Sequence, residues 1–162
     1  MVKGFSRVQI GLHWVVAALI FYNLFFGKDM RPVWDQVERG GTPLTTTGAW
    51  AHIIAGVLIL TLVLWRLVLR RARGVPDAPG GESAVMRTVG SVGHRALYAL
   101  MIALPVTGLL AFYGGMASLG EIHGALLKTL LWIVIALHLL ASLYHQFVLK
   151  DGLLNRMRRP QD

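Results

Sequence analysis

The sequence predicts an all-α fold: an integral membrane protein built as an antiparallel four-helix bundle. Three observations predict it. The 162 residues are 55% hydrophobic and only 15% charged, well below the charge of a typical soluble domain. The apolar residues gather in four blocks of about the 20 residues that a helix needs to cross a bilayer. Lysine and arginine concentrate in alternate connections, as in the positive-inside pattern.

The first block, about 8–27, is VQIGLHWVVAALIFYNLFFG. It is long for the apolar stretch of a secretory leader and has no clear small-x-small cleavage site, so it reads as a span. Within the 28–47 connection, PVWDQVER reads as a short interfacial helix, with Pro32 in its first turn and Trp34 at headgroup level. Thr47 reads as the cap of the second span, about 48–69. The segment 74–86, GVPDAPGGESAVM, reads as a polar turn. The third span is about 89–113, with a kink expected at Pro105. The fourth is about 120–149. Each block reads as a helix, because open strands leave backbone groups unsatisfied in lipid. Residues 1–162 read as a single domain, without internal repeat or low-complexity tract.

The net charge of +8 does not indicate nucleic acid. Lys3 and Arg7 precede the first span. Arg70, Arg71, Arg73 and Arg87 fill the second connection, and Lys150, Arg156, Arg158 and Arg159 follow the fourth span. In the first connection Lys28, Arg31 and Arg39 are offset by Asp29, Asp35 and Glu38, and the third, YGGMASLGE, has no lysine or arginine. This asymmetry predicts a multi-pass inner-membrane protein with both termini cytoplasmic and its basic groups against anionic headgroups. The chain has no cysteine, which excludes disulfides, thiolate-ligated iron–sulfur clusters, c-type haem attachment and cysteine nucleophiles.

The six histidines carry the functional signal. His13, His52, His94, His123, His138 and His145 lie within the four blocks, where ionisable side chains are costly and mark function by default. Helix direction sorts them by depth. His52 and His123 lie near the outer face, and His13, His94, His138 and His145 nearer the cytoplasm. His123 and His138 are roughly 22 Å apart along a helix, too far to share one metal ion. Zinc needs three or four convergent ligands, and the blocks hold no i, i+4 histidine pair. Haem needs only one axial imidazole on each side of its plane. Facing histidines from different helices can hold it in a bundle core. His52 with His123 fits this at the outer level; at the inner level depth leaves four candidates.

FSRVQIGLHW at 5–14, AHIIAGVLILTLVLWRLVLR at 51–70, GHRALYALMIALPVTGLL at 93–110 and IALHLLASLYHQFVLKDGLLNRM at 135–157 together resemble the bacterial cytochrome b-561 family. The resemblance covers all four spans and the C-terminal segment. It implies two haem b groups: one between His13 and His138, the other between His52 and His123. One departure stands out. His123 and His138 are fifteen residues apart where the family pattern implies fourteen. Fourteen returns to nearly the same helix face, whereas fifteen rotates on by about 100°; a π-bulge between them would absorb the extra residue, and without one the rings splay or His123 is not the ligand.

Under this reading His145, His94 and Tyr98 are candidates for a quinone site, where imidazole supplies a donor to a carbonyl oxygen and a proton source. Gly11, Gly56 and Gly108 allow close approach of a helix or a flat macrocycle. Arg66, Arg70 and Arg95 are candidates to pair with inner propionates or to snorkel, and Lys128 could neutralise outer propionates. The resemblance implies transmembrane electron transfer between an outer donor, with superoxide as one candidate, and ubiquinone. That makes the chain a superoxide:ubiquinone oxidoreductase or an electron carrier. The alternatives are a membrane subunit relaying electrons between quinol and a periplasmic redox protein, and a non-redox histidine-rich transporter or scaffold.

Overall fold

The computed structural model describes residues 4–42, 45–76 and 83–160. Lys3 and the 77–82 part of the expected polar turn lie outside the described residues. Helix α1 is Arg7–Phe26. A capping box starts it: the Ser6 hydroxyl accepts from the Gln9 backbone N–H, and the Gln9 side chain accepts from the Ser6 N–H. Both residues are buried, where an unpaired backbone donor would carry its full desolvation cost. After a 3₁₀ turn at Gly27–Asp29 comes α2, Met30–Glu38. This is the expected interfacial helix, with Pro32 in its first turn. Its Val33 is fully buried, and the Trp34 indole N–H donates to Glu38 at 2.7 Å.

Helices α3, Thr47–Arg73, and α4, Ala84–Gly114, extend past the apolar blocks that announced them. Thr46, not Thr47, caps α3. It has extended backbone and its hydroxyl accepts from the Ala49 N–H at 3.1 Å, whereas Thr47 is already helical. At the other end α3 continues through Arg70, Arg71 and Arg73, cations that complement the negative end of the helix dipole. Ser83 caps α4, which runs on through the buried Pro105 and stops at the left-handed Gly115.

The fourth span, Ala117–Leu149, has four parts. Helix α5, Ala117–Glu121, leads into a π-helical turn at Ile122–Leu127; α6, Lys128–Tyr144, leads into a second π turn at His145–Leu149. The chain then reverses at Lys150, whose φ is 54°, into a short 3₁₀ helix at Leu153–Met157.

Among the described residues, four helices are therefore long and apolar enough to cross a membrane. The core is a belt at mid-height: Val16 and Ile20 from α1, Ile59 and Val63 from α3, Leu100 from α4 and Leu131 from α6. Many large apolar side chains, among them Phe25, Val68, Leu137 and Leu140, point outward. Lipid tails are as apolar as the core, so this surface is at home in a bilayer. Helix α1 packs on α3, α3 on α4 and α4 on the fourth span, while α2 lies over the start of α3. Helices α1 and α6 meet through rings, Phe25 on Trp132 and His13 beside His138.

Helix α2 is seated by two bare glycines. A Cβ on Gly120 would overlap the Trp34 ring, and one on Gly48 would overlap the Asp29 side chain. Gly120→Leu is therefore expected to unseat the Trp34 ring. Overpacking of this kind costs about 1–3 kcal/mol. Hydrogen exchange should accelerate over 30–38 and stay unchanged over 16–20; unaltered exchange in α2 would contradict the packing described.

Candidate functional site

The helices gather five of the six imidazoles into two groups, one on each side of the core belt. Away from the termini, His52 of α3 faces His123 of the first π turn, with ring centroids 6.1 Å apart and planes at 79°. Towards the termini, His13 of α1 and His138 of α6 have centroids 6.4 Å apart at 58°, and His94 of α4 stands 5.5 Å from His138 at 75°. An iron gripped from both sides needs centroids about 6 Å apart, because each metal–nitrogen bond is about 2 Å and the nitrogen stands about 1 Å from its ring centre. The His52–His123 and His13–His138 separations fit that requirement. His94 stands somewhat closer to His138 than either couple is wide, and its Nδ1–H donates to the Gly90 carbonyl of its own helix at 2.8 Å.

Local structure sets the His123 ring. The π turn takes up one residue more than an α turn, so the fifteen-residue step from His123 to His138 advances like fourteen. The His123 Nδ1–H donates to the Leu104 carbonyl at 2.8 Å, beside Pro105, leaving Nε2 as the ring atom for a metal. Imidazoles that bind metals are commonly oriented by such a backbone bond. Gly108 makes room for the ring: a Cβ there would stand 3.0 Å from Cε1. Gly27 does the same for His52, whose Nδ1 would lie 2.9 Å from an added Cβ. Neither Gly27 nor the Leu104 carbonyl was legible as part of a site, since both depend on how helices meet.

These two imidazoles line a cavity of about 1190 Å³ beneath α2, above the roughly 300–1,000 Å³ of ordinary ligand pockets. Its wall holds two buried polar atoms without a hydrogen-bond partner, His52 Nδ1 and Asn23 Oδ1, although the Asn23 amide N–H donates to the His52 carbonyl at 3.3 Å. Its mouth carries Lys28, Asp29, Arg31, Asp35, Glu38, Glu121 and Lys128. Lys128 acts electrostatically on both imidazoles. In the other group, Arg66 acts on His13, His94 and His138, and Arg70 acts on His94. A porphyrin, with its two propionates, brings the negative charge that suits such cations. Among the described residues no three His, Asp or Glu side chains converge as a bare metal ion requires.

Of the remaining predicted site residues, Tyr98 packs against the mid-height core. His145 is buried on the second π turn, and its Nδ1 bonds Asp151 Oδ2 at 2.5 Å. Asp151 was not singled out by sequence reasoning; the signal was an acidic residue in the KDG turn just past a membrane histidine. Burial pushes its carboxyl up, but the bonds from His145 and from the Leu153 N–H outweigh this and hold it below the usual carboxylate range. Its anchoring of the tail is thus complete above the ordinary carboxylate range and is lost as pH falls through the lowered value. The tail is also tied to α1, where the Trp14 indole N–H donates to the Met157 carbonyl at 2.8 Å.

Residues 4–160 match the family model of the prokaryotic cytochrome b561. The chain is 35% identical over 161 residues to cytochrome b562 of Cereibacter sphaeroides, covering 98% of this chain and 97% of the relative. It is 28% identical over 180 residues to the probable superoxide oxidase CybB of Yersinia pestis, covering 97% of each. Cytochrome b561 homolog 1 of Escherichia coli strain K12 is 28% identical over 174 residues, covering 94% of this chain and 96% of the relative. With its four membrane helices and paired imidazoles, this chain belongs to the prokaryotic cytochrome b561 family: a bacterial membrane protein that binds haem b and serves in electron transport.

Proposed function

We propose that this chain is a dihaem cytochrome that moves electrons across the inner membrane, from superoxide at the outer face to ubiquinone at the cytoplasmic face. The observation that carries the reading is the pair of imidazole couples, each about 6 Å across, drawn from different helices on opposite sides of the core belt. His13 and His138 hold one haem, and His52 and His123 hold the other. When bound, each supplies a one-electron ferric–ferrous couple.

The chain's own residues do the rest. Arg66 and Lys128 offset propionate charge near the two groups. The Leu104 carbonyl fixes the His123 tautomer. The cavity under α2 admits a small donor to the His52–His123 group, which favours superoxide over a protein that must dock at the surface. The Lys and Arg excess at the end bearing the termini supports a cytoplasmic position for that end. The net reaction balances as two superoxide ions, one ubiquinone and two protons giving two dioxygen molecules and one ubiquinol. The protons enter at the cytoplasmic end, where His94 and His145 are the imidazoles outside the two couples. The name of the Yersinia pestis relative supports the choice of donor.

Three outcomes test this. His138→Ala is expected to lose one haem, and His94→Ala to keep both, as read by reduced-band absorbance per chain; haem loss in the His94 variant would move the ligand assignment. Deleting Ala125 from the π turn should keep both haems, because an α turn then restores the same register. Inserting one alanine after Lys128 should lose one, since it rotates the two ligands apart by about 100°. Rapid mixing with superoxide should reduce the haems, and adding ubiquinone should reoxidise them. Haems that stay oxidised on mixing would exclude superoxide as the donor.

A further inference from the structure

We infer that Asp151 is a positioning residue for His145, and that the two act as a carboxylate–imidazole pair passing protons from the aqueous face to the quinone. This rests on the quinone reading of the end bearing the termini. The pair is enclosed: the His145 side chain is 11% exposed and that of Asp151 13%. Both carboxylate oxygens are engaged, Oδ2 with His145 at 2.5 Å and Oδ1 with the Leu153 backbone N–H at 3.0 Å.

Two unfavourable backbone features in succession make this contact. The helix widens into a π turn at His145–Leu149, and Lys150 then takes a left-handed conformation that side chains other than glycine rarely adopt. Strained conformations of this kind persist where the surrounding contacts demand them, and here they return Asp151 to a ring six residues back. The pair lies about 10 Å along the helix from His138, so it is separate from the proposed ligand. Tyr144 touches the His145 ring from the same helix, and Arg156 faces Asp151 from the tail.

A ring held at Nδ1 exchanges protons with a substrate only through Nε2. An ionised carboxylate at Nδ1 offsets the positive charge when the ring carries both protons. Conversion of quinone to quinol consumes two electrons and two protons. The electrons come from the superoxide donor of the proposed reaction; the protons come from water at the cytoplasmic face. Nε2 of His145 transfers each proton onward and the ring is reprotonated from water, so nothing is consumed in the protein.

The test compares full-length, haem-loaded variants with decylubiquinone as the acceptor. Asp151→Asn keeps an oxygen for the Leu153 N–H but removes the charge. It is expected to lower kcat by about tenfold or more with KM unchanged, to retain both haem spectra, and to weaken the Nδ1–H proton resonance that His145→Gln abolishes. Asp151→Glu should restore most of kcat, and Asp151→Asn combined with His145→Gln should be no slower than His145→Gln alone. An Asp151→Asn variant with wild-type kcat, or additive losses in the double variant, would overturn the role of Asp151 while leaving the quinone reading intact. Reduced wild-type haems that decylubiquinone does not reoxidise would overturn both.

Discussion

The structure depends on one constraint: imidazoles inside an apolar bundle must meet something that repays their burial. The five in the two groups have cations and one another as electrostatic neighbours. An imidazole couple spaced for an axially ligated iron would resolve the difficulty, because a bound metal would take one nitrogen of each ring and leave the protein only the other to satisfy. Other features follow from holding that spacing. The π turn sets the register of His123 against His138, Gly27 and Gly108 clear space for the rings, and the belt from Val16 to Leu131 keeps the two groups apart.

The two ends of the bundle are built differently. One end has a roof, α2, resting on Gly48 and Gly120, over a large cavity with a charged mouth. At the other end the tail folds back, bonded to His145 through Asp151 and to α1 through Trp14. Trp14 is also in ring contact with His13, so the tail is linked through Trp14 to an imidazole of the His13–His138 group.

Much of this was legible in the sequence because a bilayer imposes simple rules. The four apolar blocks located the spans and the PVWDQVER segment located α2. The fifteen-residue step between His123 and His138 left three accommodations open, and the π turn at Ile122–Leu127 is the one the chain adopts. Helix ends were less legible. Hydropathy marks the thickness of lipid, so it missed the turns at Arg70–Arg73 and Ala84–Thr88 that continue α3 and α4 beyond it. The sequence named His94 and Tyr98 as candidates for one site but could not give their neighbours: His94 lies against His138 and Tyr98 against the core. The Asp151–His145 bond was out of reach, because it turns on a left-handed Lys150 that no periodicity announces.

The central claim is that each imidazole couple grips one iron. Low-temperature electron paramagnetic resonance of the purified, oxidised protein, with haem content measured per chain, tests it most directly. The account predicts two low-spin ferric signals of bis-imidazole type and two haems per chain. A single haem, or a high-spin signal from an iron with an open axial position, would contradict it.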